Sequence, residues 1–467
     1  MAIRPTLIIA GTSSGCGKTT VSLGLMAAFG TRGLDVRPFK CGPDFIDPTL
    51  HTMITKRRSP NLDIRMCGND HVQATFWRKA AAGPEGINII EGVMGMFDGG
   101  QGSAAALASC LKVPVLLVVD ISSAAESVAA TVHGFETLDP GVEIGAVVLN
   151  RAASPRHAAL AQGAVETHCR ARVAGVLPRD LSITIPSRHL GLEMGDENPL
   201  DANGIERLAE LMEQNLDLDM VCAVAQTAST VRPAAGDTIE RVNTWCRDRA
   251  RVRIAVARDE AFCFYYQDNL ELLQAAGAET VEFSPVHDTA LPDRIHGIYL
   301  GGGYPELHAG PLSKNGPMLK QIAAFCRQGG PVLAECGGFM YLTRSITCTS
   351  GHTFEMAGVF PFRCHMKSRL RRLGYRQPLL CRDTILGPRG QKLYGHEFHY
   401  SDIHAADGEK DRLKMAFEME GGRMEGYQIY NTLAGYIHLH WGRTPEAAMN
   451  FADSCRRYAR LQGENTW

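Results

Sequence analysis

The chain has 467 residues, 45% apolar and 21% charged, with a formal net charge of -2. That length accommodates two or three domains with cores of their own, and the balanced charge gives no basic excess for nucleic acid and no acidic tail for disorder. The 14 cysteines are scattered, and none stands in C-x-x-C spacing, so neither a zinc site nor a secreted disulfide framework is expected.

A first strand is expected at 6–10; its apolar stretch, Leu7 to Ala10, is too short for a signal sequence and leads straight into a glycine loop. No run reaches the ~18–20 residues of a transmembrane helix. A cytoplasmic protein with reduced thiols is expected, with no membrane partner and no nucleic-acid partner. Further strands are expected at 35–39, 87–90, 113–120 and 144–150, with helices at 21–29 and 122–133 between them. Continuous apolar runs suit strands buried on both faces, and strand–helix alternation suits a parallel α/β sheet. Residues 215–249 change character and read as a linker and helix, dividing a domain at 1–214 from one at 250–467. The second domain starts a new α/β pattern, with strands at 253–257, 280–283, 297–300 and 331–334 and a helix at 267–276.

After the first strand comes Gly11-Thr-Ser-Ser-Gly15-Cys-Gly17-Lys18-Thr19. Strand, glycine loop and helix in this order make a phosphate loop: Gly15 and Gly17 let backbone N–H groups turn toward phosphate, Lys18 neutralises its charge, and Thr19 offers a hydroxyl to Mg²⁺. The leading glycine stands one residue earlier than the strict pattern, with Thr12 in its place, a spacing that resembles dethiobiotin synthetase-like ATPases. Two acidic clusters follow strand ends: Lys40-Cys-Gly-Pro-Asp44-Phe-Ile-Asp47, and Glu91-Gly-Val-Met-Gly-Met-Phe-Asp98. Carboxylates there would hold Mg²⁺ against ATP, and Lys40 would stabilise a transferring phosphoryl group. His51 and His189 are weaker candidates for substrate contact, against the reading of each as a surface or packed histidine.

In the second domain, Pro331-Val-Leu-Ala-Glu-Cys336-Gly-Gly reads as strand, sharp turn and helix, the setting that projects a nucleophile. A helix start should lower the pKa of Cys336. Gly435-Tyr-Ile-His438-Leu-His440 supplies the partner base, and the N–H groups of Gly301-Gly-Gly could form an oxyanion hole. Together these suit cleavage of the glutamine side-chain amide.

These strings together resemble the cobyrinate a,c-diamide synthase family over essentially the full length. The resemblance implies a dethiobiotin synthetase-like P-loop domain joined to a class I glutaminase-like α/β domain. It implies that ATP phosphorylates the a and c acetates of a corrinoid, and that ammonia from glutamine displaces phosphate. On this resemblance Gly15, Gly17, Lys18, Thr19 and Lys40 meet the nucleotide, and Thr19, Asp44, Asp47, Glu91 and Asp98 meet Mg²⁺. Cys336 is then the nucleophile and His438 its base. Ordinary class I glutaminases have Glu where His440 stands, so a Cys–His dyad is expected and its third member is open. The segments 367–376, rich in arginine, and 395–401 are candidates for the anionic ring; a solvated charge face and a partly buried strand with outward histidines are the respective alternatives. Hydrogenobyrinic acid or nickel sirohydrochlorin are alternative substrates. A non-catalytic P-loop regulatory ATPase with a scaffold domain is the alternative from another class. A homodimer is common in such families and is the expected assembly.

Overall fold

A computed structural model describes residues 3–179, 187–188, 191–192, 200–233, 236–405 and 413–463. The chain divides into two compact units, Met1–Ala235 and Gly236–Trp467.

The first unit is built on seven strands: β1 Thr6–Gly11, β2 Asp35–Cys41, β3 Asn61–Leu62, β4 Gly86–Glu91, β5 Val115–Asp120, β6 Ile144–Ala152 and β7 Arg172–Pro178. They lie in the order β3-β2-β4-β1-β5-β6-β7, every neighbouring pair parallel. β1 and β4 are buried at every residue, as expected of central strands covered on both faces. Helix α1, Lys18–Thr31, follows the glycine loop, and helix α2, Asp47–Thr55, follows β2. Val21, Leu25 and Phe29 of α1 share one core with Met212, Val221 and Val224. Those last residues belong to helices Ala202–Asn215 and Leu218–Gln226. Thus much of the expected linker is first-unit core, while Val242 and Cys246 of the next helix pack in the second unit.

The helix expected at 122–133 runs instead from Val128 to Leu138. The residues before it are spent on turns: Asp120 Oδ1 accepts from the Ser122 N–H at 2.9 Å and Ile121 O from the Ala124 N–H at 3.1 Å.

The second unit has an eight-stranded sheet. In spatial order its strands are Ala278–Phe283, Val252–Ala257, Gly297–Leu300, Val332–Glu335, Thr432–Gly435, Met424–Ile429, Lys414–Glu418 and Leu379–Leu380. The first five run parallel and the last three extend the sheet antiparallel. A smaller antiparallel sheet joins Arg372–Arg376, Gly395–His399 and Ile437–Leu439. This later half, residues 363–439, was not apparent as strands in the sequence beyond the segment 395–401. Among the described residues no helix is long and apolar enough to cross a membrane.

Candidate active sites

In the first unit the ends of β1, β2 and β4 gather the phosphate-loop and acidic residues. Gly15 and Gly17 have φ of 77° and 102°, a region that favours glycine. At Gly17 a Cβ would also lie 2.1 Å from Asn150 Nδ2. Asn150, on β6, pins the loop from behind by donating to Cys16 O at 2.8 Å. Lys18 Nζ donates to Ser13 O at 3.0 Å, and burial lowers its pKa.

Glu91, the last residue of β4, is 1% exposed. Its Oε1 accepts from Thr19 Oγ1 at 2.7 Å and from Lys40 Nζ at 3.2 Å. Its Oε2 lies 2.7 Å from His51 Nε2, and His51 Nδ1 lies 2.9 Å from Ser59 Oγ. For Nε2 to donate to the carboxylate of Glu91 in the neutral ring, Nδ1 accepts from the serine hydroxyl. Lys40 also donates to the carboxylate of Asp47 and to Gly92 O, with Asp44 Oδ2 at 3.8 Å.

Burial works against the Lys40 ammonium, but Asp47, Glu91 and Asp44 outweigh it and hold the pKa above its usual value. Burial likewise works against the Asp47 carboxylate, and Lys40 overrides it, so Asp47 stays below the ordinary range. Asp44 moves the other way, raised by burial and then by the charge of Asp47. Three carboxyl groups around one ammonium present hard oxygen donors, a set that fits Mg²⁺. Asp98 is used differently: its Oδ2 accepts from the Gly95 N–H at 2.9 Å and closes a turn. His51 is wholly buried against Glu91, the packed histidine that stood as the alternative to substrate contact. His189 lies outside the described residues.

In the second unit Cys336 stands at φ 49° and ψ -101° between strand Val332–Glu335 and helix Gly337–Leu342. A non-glycine residue in this region is strained and is held there by its surroundings. The Cys336 N–H donates to Gly435 O at 2.7 Å. Sγ lies 3.8 Å from Phe398 O on strand Gly395–His399 of the smaller sheet. The glycine loop touches both His438 and the residue that follows Cys336. A Cβ on Gly302 would fall 2.2 Å from His438 Cε1, and one on Gly337 would fall 3.0 Å from Gly303 N. Cys336 and His438 therefore close on one loop, and Gly302 allows the imidazole to approach it.

Two of the three expected oxyanion donors are committed elsewhere. The Gly301 N–H donates to Tyr265 Oη at 2.8 Å and the Gly302 N–H to Phe264 O at 3.2 Å. Gly303 is left as the donor that these bonds do not use. The expected lowering of the Cys336 pKa is also reversed. Burial pushes the thiol well up, Glu306 adds to it, and the Gly337 N–H offsets only part. Burial pushes His438 down to about 3, with His396 and His399 adding to the effect, which keeps the imidazole neutral and also makes it a weaker proton acceptor until substrate changes its surroundings.

His440, standing where a glutamate was sought, is buried. Its Nδ1 accepts from the Gly442 N–H at 3.0 Å, and Asp268 Oδ2 lies 4.0 Å from its Nε2. The strand Gly395–His399 departs from the reading of outward histidines at one of the two: Glu397 and His399 face inward, while His396 is half-buried on the opposite face. Glu397 takes Arg376 at 2.5 Å and Arg423 at 2.7 Å, and His399 stacks on Tyr436 at 3.8 Å. Burial opposes the Glu397 carboxylate, yet its hydrogen bonds to His399, Arg423 and Arg376 hold it well below the usual range. The arginine-rich segment thus splits. Arg376 turns inward to Glu397 and Arg371 meets Asp402 at 2.9 Å, while Arg369 and Arg372 are exposed.

Fold and sites together define a P-loop nucleotide-binding unit joined to a glutamine amidotransferase unit. Residues 7–192 match the CobQ/CobB/MinD/ParA nucleotide binding domain, and residues 253–446 match the CobB/CobQ-like glutamine amidotransferase domain. The cobyrinate a,c-diamide synthase of Dehalococcoides mccartyi is 40% identical over 455 residues, covering 96% of this chain and 97% of that protein. That of Syntrophotalea carbinolica is 40% identical over 461 residues, covering 97% and 99%. That of Priestia megaterium is 40% identical over 469 residues, covering 96% and 97%. The chain belongs to the cobyrinate a,c-diamide synthase family.

Proposed function

We propose that this protein is a glutamine-hydrolysing ligase of cobalamin biosynthesis that uses ATP to amidate the a and c acetates of cobyrinic acid. A carboxylate is a poor electrophile because oxide would have to leave. Transfer of the γ-phosphoryl group to it makes an acyl phosphate, from which ammonia displaces phosphate. Lys18 and the N–H groups of the loop at Gly15 and Gly17 hold the phosphates, and Lys40 balances charge on the transferring group. Thr19, Asp44, Asp47 and Glu91 would hold Mg²⁺, with Asp98 at the margin of the same loops; the ion supplies charge neutralisation when bound with ATP.

Ammonia comes from glutamine. His438 takes the thiol proton as Cys336 Sγ adds to the amide carbon, and returns it as the carbon–nitrogen bond breaks and ammonia leaves. Water then opens the thioester to release glutamate. Gly303 N–H steadies the oxyanion. The buried, raised thiol means that deprotonation is coupled to substrate rather than standing ready beforehand. The protein acts in the reducing cytoplasm, consistent with cysteines that are all free, and as a homodimer.

The observation that carries this reading is Cys336, strained onto a left-handed turn beside the loop that also receives His438. The test is an ATP- and glutamine-dependent assay on a panel of tetrapyrroles, with products identified by mass spectrometry. Cobyrinic acid gaining two amides is the expected outcome. Turnover confined to hydrogenobyrinic acid or nickel sirohydrochlorin would move the substrate, and ATP binding without glutamine turnover would refute the enzyme.

A further inference from the structure

The segment that carries His438 is gripped by buried side chains as well as by its strand neighbour. Glu425 Oε1 accepts from the Tyr436 N–H at 2.8 Å. Glu335 Oε1 accepts from the Leu439 N–H at 3.1 Å, and its Oε2 accepts from Tyr299 Oη at 2.9 Å. Asn269 donates from Nδ2 to Leu439 O at 2.7 Å and accepts at Oδ1 from the Trp441 N–H at 2.9 Å. Glu335 is 3% exposed, and Asn269 and Tyr299 are 0% exposed.

The placement of these groups matters more than their number. Glu335 immediately precedes Cys336, and Leu439 immediately follows His438. Strand Val332–Glu335 pairs with Thr432–Gly435, the strand just before His438, as far as Glu335 and Gly435. Beyond that point Ile437–Leu439 leaves the large sheet and pairs with Gly395–His399. The backbone ladder between nucleophile and base therefore stops, and a side chain continues it. Asn269, on helix Gln267–Ala275, takes the carbonyl of the same Leu439 and the next free N–H, so both polar backbone groups of the residue after the base are held.

We infer that Glu335 and Asn269 are positioning residues that set His438 against Cys336, an inference that rests on the glutaminase reading of those two residues. Buried backbone groups need partners in any protein. If that were all, losing these side chains would lower stability and leave glutamine turnover per folded molecule unchanged. A positioning role instead lowers kcat with glutamine and spares the other half-reaction.

The experiment uses the full chain with Glu335→Leu, Glu335→Gln, Asn269→Ala, Asn269→Asp and Cys336→Ala. Amide formation is followed with glutamine and with ammonium. Alkylation of Cys336 by a diazoketone analogue of glutamine is followed separately. Displacing the base by about 1 Å costs about 100-fold, so Glu335→Leu and Asn269→Ala are expected to lose that much glutamine kcat and alkylation rate. Glutamine KM and ammonium turnover should stay within about twofold. Glu335→Gln should recover most of the loss, because its amide offers oxygen to the Leu439 N–H and nitrogen to Tyr299. Wild-type glutamine kcat in both Glu335→Leu and Asn269→Ala would overturn the inference. If either also loses ammonium turnover, Asn269→Asp decides, since it keeps the acceptor for Trp441 and opposes only Leu439 O. Selective loss of glutamine turnover there supports positioning, and unchanged kcat refutes it. Cys336→Ala separates the two levels: if it retains glutamine turnover, the glutaminase reading itself has failed.

Discussion

Glu91 and Glu335 hold corresponding places in their two sheets. Each is the last residue of an interior parallel strand and each is almost wholly buried. Their partners differ. Glu91 meets the ammonium of Lys40, the imidazole of His51 and the hydroxyl of Thr19. Glu335 meets a phenol and a backbone N–H, and burial pushes it up to about 8. The phosphoryl-transfer site sets its buried acid among a cation, an imidazole and a hydroxyl. A site for thiol chemistry keeps the acid beside the nucleophile neutral, where a full negative charge would oppose the thiolate.

The comparison breaks most visibly in the ionic site. Asp47→Asn, Lys40→Met and Lys18→Ala are each expected to cut amide formation by about 1000-fold or more, with glutamine or with ammonium alike. Normal ammonium-driven turnover in any of them would remove that residue from the phosphoryl-transfer half. Cys336→Ala should lose glutamine turnover by about 1000-fold while ammonium turnover stays within about twofold; a variant dead with both nitrogen sources would count against separable half-sites.

Glu397→Gln tests an ionic cluster inside the second unit. Removing that charge leaves Arg376 and Arg423 facing a neutral amide, and unfolding by denaturant should register a loss of about 3 kcal/mol. Because the folded carboxyl is held below its unfolded pKa, this stability is present above about pH 4.5 and fades as pH falls. The difference between variant and wild type should therefore shrink in acid. A difference that persists unchanged to pH 2 would show that the lost shape, not the charge, was responsible.

Glu335 has the opposite sign. Its folded pKa is raised, so the folded state binds more protons between about pH 4.5 and 8, and stability declines as pH rises through that window. Glu335→Gln should flatten the decline when melting is measured across it, with Glu425, pushed up to about 7, supplying what slope remains. An unaltered slope would mean that Glu335 is not the group responsible. The smallest effect is expected from Glu306→Gln. Removing a half-buried charge that raises the Cys336 thiol should shift the alkylation profile of Cys336 to lower pH by a fraction of a unit; a shift to higher pH would show that Glu306 helps the thiolate instead.

The phosphate loop, the strand before Cys336 and the late His438 were legible because each is a local arrangement, a strand run ending in small residues that dictate a turn. What remained hidden depends on distance along the chain. Asn269 reaches Leu439 across 170 positions and Glu335 reaches it across 104, and nothing local marks either partner. One trace did exist: Glu335 is a lone acid at the end of an apolar strand, which is costly to bury without partners. The direction of the Cys336 shift was missed for a related reason. A helix start can be read from the turn, whereas the walls that desolvate the thiol come from Phe398, Tyr436 and the glycine loop, all remote in sequence.

The pinned phosphate loop has a consequence for the thermodynamics of nucleotide capture. Asn150 holds Cys16 O, Gly17 is wedged against the same side chain, and Lys18 folds its ammonium onto Ser13 O. The cradle is already wound, so an arriving triphosphate has little backbone left to order and need only win one ammonium from one carbonyl. Capture should therefore be driven by heat released at the phosphates, with a conformational toll small for a loop so rich in glycine.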